Sequence, residues 1–152
     1  MERILYFFFA VFFFASLPVQ ATPKPGKGFL FFKINRTDKN GKYHGRWKVY
    51  FGADNTVIRN GRFRHGREVG TWKYYYPNGT RYMKEKYSRN SNEIQVEKYH
   101  ENGRLARKGT ARFVQTSTLD KYYWSGDWEV YDVNGNFSHI EIYEQVNLIG
   151  KR

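Results

Sequence analysis

Four histidines and two close carboxylate pairs are the residues of this 152-residue chain whose types could do chemistry. His44, His65, His100 and His139 could ligate a metal; Glu129 with Asp132, or Glu141 with Glu144, could act as general acid and base. A metal centre needs several converging ligands and further groups that orient them. None of the four histidines has a carboxylate or a second histidine at ligand spacing. His44 and His65 each precede the glycine of a repeat junction, so periodic structure accounts for them and no metal site is expected. Acid–base work by two carboxyls needs a pocket that separates their environments, and nothing in the sequence signals one. The chain has no Cys, which excludes thiol catalysis, thiolate zinc sites and disulfide redox function. Gly-x-Ser-x-Gly, a phosphate-binding Gly loop and a dinucleotide fingerprint are all missing. Neither an enzyme nor a cofactor is expected.

The elements that would carry these residues repeat. Gly45-Arg46-Trp47-Lys48-Val49-Tyr50, Gly70-Thr71-Trp72-Lys73-Tyr74-Tyr75 and Gly126-Asp127-Trp128-Glu129-Val130-Tyr131 are three versions of one phrase. The second and third run on to Asn78-Gly79 and Asn134-Gly135. Val96-Glu97-Lys98-Tyr99 leads to Asn102-Gly103 in the same register, a fourth copy with Val96 in place of Trp. A recurring strand-plus-turn unit of about two dozen residues predicts a repeat architecture.

Alternation sets the faces. Trp47, Val49 and Phe51 share one side of their strand, as do Trp72, Tyr74 and Tyr76, whereas Lys48 and Tyr50, or Lys73 and Tyr75, point the other way. Asn-Gly predicts two-residue hairpin loops with positive φ. Return strands are expected at Arg62–Arg64, Arg81–Tyr87, Arg112-Phe113 and Ile140–Tyr143, with polar loops at 89–92 and 115–120, the latter an insertion in the third unit. No convincing amphipathic helix is found. The fold expected is all-β, an antiparallel meander of successive β-hairpins in a single-layer or rolled, elongated sheet.

Residues 1–21 read as a signal peptide. A short polar start is followed by an apolar run from Ile4 to Leu17, too short to span a bilayer, then by Pro18 and small residues at Val19 and Ala21. Cleavage near Ala21 would export the protein to the periplasm or beyond, with no transmembrane span in the mature chain. Residues 22–28 read as a Pro/Gly linker. Residues 29–152 form the expected repeat domain, with a strand at 28–34 and units at about 43–66, 67–91, 92–122 and 123–145.

The phrase Gly-x-Trp-x-x-Tyr followed by Asn-Gly, with His65-Gly66-Arg67-Glu68-Val69-Gly70 leading into the next unit, resembles the MORN (membrane occupation and recognition nexus) repeat. It is closest to the bacterial exported type, some members of which carry an antitoxin label. The resemblance covers roughly residues 43–145. It implies a hairpin sheet used as a scaffold or binding surface, with Gly45, Trp47, Gly70, Trp72, Asn78, Gly79, Asn102, Gly103, Gly126, Trp128, Asn134 and Gly135 as structural repeat positions.

Charge suggests what such a surface would meet. Residues 22–112 carry 22 Lys and Arg against 7 Asp and Glu, and residues 113–152 carry 3 against 6. The basic part interleaves cations with aromatics, so Arg46, Lys48, Tyr50, Arg62, Arg64, Lys73 and Tyr75 are the candidate binding residues. A protein or an anionic envelope component, lipid headgroup or cell-wall polymer, would suit them. Export argues against nucleic acid. Two readings of this face stand level: an anionic partner, or a solvated surface that keeps a Tyr-rich sheet soluble and guards its edges. Function is therefore expected to be non-enzymatic binding or scaffolding at the cell envelope. The alternative is an antitoxin or immunity-like partner that neutralises a toxin or effector.

Overall fold

The computed structural model describes residues 33–52, 56–115, 120–145 and 147–152. The expected signal peptide, the linker and most of the expected strand at 28–34 lie outside them. Ten strands follow: β1 (Arg36–Thr37), β2 (Tyr43–Phe51), β3 (Thr56–Arg64), β4 (Arg67–Tyr75), β5 (Arg81–Tyr87), β6 (Glu93–Tyr99), β7 (Leu105–Gln115), β8 (Asp120–Tyr131), β9 (Phe137–Glu144) and β10 (Asn147–Lys151). All pair antiparallel in chain order, and β1 and β10 form the two edges. The sheet is an open meander, not a closed barrel. No helix among the described residues is long and apolar enough to cross a membrane.

The Asn-Gly turns stand where expected but differ in type. Gly79 N–H donates to Tyr76 C=O (2.9 Å) and Tyr76 N–H to Thr80 C=O (2.8 Å); His100–Arg104 and Asp132–Asn136 repeat the pattern. In these three turns only the glycines have positive φ. Each is therefore a type I turn closed by a left-handed glycine, a three-residue loop in place of the expected two. The asparagine serves through its side chain, as where Asn78 Oδ1 accepts from Thr80 N–H (2.8 Å) and Asn102 Oδ1 from Arg104 N–H (3.0 Å). Asn102 Nδ2 also donates to Val133 C=O (2.7 Å), tying one turn to the next.

Gly-x-Trp is a bulge, where alternation alone predicts continuous strand. Between the pairs Asn60↔Lys73 and Arg62↔Val69, the single residue Gly61 of β3 faces Gly70, Thr71 and Trp72 of β4. Gly109 of β7 faces Gly126, Asp127 and Trp128 of β8 in the same way. Gly45, Gly70 and Gly126 have φ of 80°, 67° and 71°, a region closed to most side chains. The bulge swings each indole onto the facing glycine. A Cβ at Gly61 would lie 2.1 Å from the Trp72 ring, and one at Gly109 would lie 2.4 Å from the Trp128 ring. The third unit has Ile94 and Val96 in place of Gly and Trp, and there β5 pairs with β6 without a shift.

The units alternate. The residue across each hairpin from the Trp or Val position is Gly61, Glu85, Gly109 and Glu141 in turn. Each glycine receives a Trp from the following strand. Neither glutamate does, and both are buried.

Trp72, Ile94, Val96, Ala111 and Trp128 are the fully covered apolar residues among those described. The core is thus one face of a single layer, extended by Phe63 edge-on to Trp72 and by Trp124 stacked on Trp128. The insertion in the third unit is largely strand. Ala111 to Gln115 pair with Trp124 to Asp120, which lengthens the β7–β8 hairpin, and residues 116–119 lie outside the described set. That extension delivers Tyr122 and Trp124 to the core face.

Candidate functional site

The seven candidate binding residues share one face, opposite the indoles. Register places Arg46 across from Arg62 and Lys48 across from Asn60. Asn60 faces Lys73, and Arg64 faces Arg67. Tyr75 lies on the same side and accepts a hydrogen bond from Asn60 Nδ2 (3.1 Å). Tyr50, at the end of β2, is 40% exposed.

One cross-strand row runs the width of this face: Lys48, Asn60, Lys73, Lys84, Glu97, Lys108, Glu129 and Ile140. Its two halves differ in charge. From β5 onward the cations are matched, Lys84 to Glu97 (2.7 Å) and Lys108 to Glu129 (3.0 Å). Burial pushes Glu97 up, but the Lys84 and Tyr99 hydrogen bonds prevail and hold it below the usual carboxylate range. Bonds from Tyr131 and Lys108 hold Glu129 low as well. From β2 to β4 no carboxylate stands in the row, and Lys73 faces Lys84 directly. Like charges directly opposite are destabilising in a sheet. Among the described residues Lys48, Arg62, Arg64 and Lys73 form no ion pair.

At the end of the sheet away from the Asn-Gly turns lies an open depression of about 2150 Å³, whose lining includes Arg36, Arg46, Arg62, Arg64 and Arg67. The basic row therefore continues into a concave, cation-rich end.

The opposite face holds chemistry that sequence reading missed. The buried Glu85 carboxylate accepts from Tyr74 (2.6 Å), Tyr122 (2.7 Å) and Tyr87 (3.3 Å). The Tyr87 hydroxyl also bonds Glu68, which pairs with Arg59. Burial, then the nearby carboxylates, push the Tyr74, Tyr87 and Tyr122 hydroxyls far above the ordinary phenol range. Glu141 pairs with Arg107 and accepts from Tyr143 (2.8 Å). Burial raises its pKa, but Tyr143 and Arg107 outweigh this and keep it below the usual value. The signal was present in the sequence. Glu-x-Tyr occurs at Glu85, Glu97, Glu129 and Glu141, and in each case the tyrosine two residues on donates to the glutamate.

The carboxylate pairs named from sequence are not brought together as pairs. Glu129 is engaged by Tyr131 and Lys108, whereas Asp132 caps its turn by accepting from Asn134 and Asn136 N–H (2.9 Å each). Glu141 is buried while Glu144 is exposed. His100 reaches Tyr131 C=O (3.2 Å) and His139 stands beside Glu141 (3.4 Å). The fold brings His44 and His65 to a ring-centroid distance of 4.9 Å and sets Asp38 against His65 (2.7 Å). The carboxylate comes from a separate loop, so linear spacing could not reveal it.

No family model, curated protein or solved structure matches the chain.

Proposed function

We propose that this chain is a non-enzymatic hairpin-repeat module of the MORN type, exported to the cell envelope, whose basic face binds an anionic surface. One observation carries the reading: Lys48, Arg62, Arg64 and Lys73 stand in register on one face with no carboxylate among their cross-strand partners. Farther along the same row the cations are matched by Glu97 and Glu129. A face that served only solubility would gain from the same interleaving throughout, since like charges directly opposite cost stability. The unmatched half stores repulsion that an anionic partner relieves.

Lipid headgroups are the test surface. A basic residue near an anionic bilayer contributes about 1 kcal/mol, and the attraction fades within a Debye length. Vesicles containing phosphatidylglycerol should pull down the protein at low salt, and phosphatidylcholine vesicles should not. The double variant K48A/K73A should bind about 10–30-fold more weakly with no fall in its thermal midpoint. Equal binding to both vesicle types, or binding unaltered in the double variant, would show that the face has another role.

A further inference from the structure

Three elements converge at the start of β2. The β1–β2 loop supplies Asp38, β2 carries His44, and the turn between β3 and β4 carries His65. One ligand-type atom from each of the three lies within 4.8 Å of the others. We propose that Asp38, His44 and His65 bind one divalent transition ion of the zinc class, with a fourth coordination position open to water.

Asp38 is fixed by its own loop. Its Oδ1 accepts from the N–H groups of Asn40 (2.9 Å) and Lys42 (3.0 Å), which leaves Oδ2 directed at His65 Nδ1 (2.7 Å). The side chain is only 11% exposed.

His65 sits in the left-handed region, which few non-glycine residues enter. It takes φ of 50°, followed by Gly66 at 82°, where hairpin turns prefer Asn or Gly. Non-glycine residues persist in that region only when their surroundings impose it, and such strain gathers at functional positions. The surroundings are visible here: Gly66 N–H donates to Tyr43 C=O (2.8 Å), clamping the turn onto β2 beside His44.

The donor set selects the ion. Two imidazoles and one carboxylate suit Zn²⁺ and its neighbours, whereas Ca²⁺ and Mg²⁺ want oxygen alone. Tetrahedral bonds of about 2.0–2.1 Å put ligand atoms roughly 3.3–3.4 Å apart, so small side-chain rotations complete the site. The ion would sit between Asp38 Oδ2 and a His65 ring nitrogen, in place of the hydrogen bond that now joins them. Lys42 packs beside Gly66, and the Arg36 guanidinium packs beside Gly45.

The experiment is calorimetric titration of ZnCl₂ into protein without a histidine tag. Wild type should show one saturable site, and MgCl₂ should give none. D38N and H44A should each weaken Zn²⁺ binding at least about tenfold. H65N, which tolerates the left-handed turn, should do the same without lowering the thermal midpoint of the metal-free protein. H139A should bind as wild type does. The proposal is overturned if wild type shows no one-to-one binding, if D38N and H44A bind unchanged, or if H139A alone abolishes binding.

Discussion

The indole of Trp72 rests on the backbone of Gly61, so closely that a Cβ at position 61 would lie 2.1 Å from the ring. Trp128 and Gly109 repeat the contact at 2.4 Å. A glycine is required at both places for space, since neither has the positive φ of the glycines that open the bulges.

Gly61→Ala should therefore force the indole or the backbone aside, at about 1–3 kcal/mol. Trp72→Ala removes a fully buried side chain and should cost about 3–5 kcal/mol. Trp47 is only half-buried, so Trp47→Ala should cost less than Trp72→Ala. Urea denaturation of the three variants checks the order. A Gly61→Ala protein as stable as wild type would mean that the indole has room to move.

Glu85 organises a second contact set across the sheet. Tyr122 sits on β8, three strands from β5, yet its hydroxyl bonds the Glu85 carboxylate (2.7 Å). Strands about 4.8 Å apart put β5 and β8 roughly 14 Å from each other when flat, so the sheet curls inward on this side. Glu85→Ala would leave the Tyr74 and Tyr122 hydroxyls without their acceptor and should cost about 3–5 kcal/mol; Tyr122→Phe loses one bond, about 1 kcal/mol. Denaturation midpoints of the two variants measure both. If Tyr122→Phe costs as much as Glu85→Ala, the network depends on the tyrosine and not on the carboxylate.

The same tyrosines set the alkaline limit. Tyr74, Tyr87 and Tyr122 have folded-state pKa values above the unfolded value of 10.0. Below pH 10 both states hold the phenolic proton and the contribution is complete. Above it the unfolded chain releases protons that the fold retains, so stability falls as pH rises. The slope should approach about 1.4 kcal/mol per pH unit for Tyr74 and for Tyr87, and less for Tyr122, which is 40% exposed and screened by solvent. Unfolding followed by tyrosinate absorbance should show these phenols ionising together with loss of structure. Ionisation near pH 10 in a still-folded protein would contradict the burial of their hydroxyls.

Period-two alternation and the Trp spacing were enough to read an antiparallel hairpin meander, single-layer or rolled, and to place Arg46, Lys48, Arg62, Arg64 and Lys73 on one face away from the indoles. Those features are local, and pairing of consecutive strands preserves them. Gly61 and Gly109 were passed over because a mid-strand glycine acquires its meaning from the indole on the next strand. Asn78, Asn102 and Asn134 marked the turns correctly, but the turn type depends on a third loop residue. The Tyr122–Glu85 bond and the Asp38–His44–His65 cluster depend on curl and on loop placement, and neither leaves a trace in linear spacing. Glu-x-Tyr was legible four times over, and its meaning lay in a hydroxyl reaching back two residues along the strand.

Gly61, Glu85, Gly109 and Glu141 alternate at one position of four successive hairpins, and this limits how such a chain could grow or shrink. Excising β6 and β7 would bring β8 against β5 and seat Trp128 where Glu85, not a glycine, occupies the space. Excising two adjacent hairpins would return Trp to glycine. The heritable module is thus a pair of hairpins, one that receives an indole and one that buries a carboxylate. Length variants of this protein should differ by even numbers of hairpins.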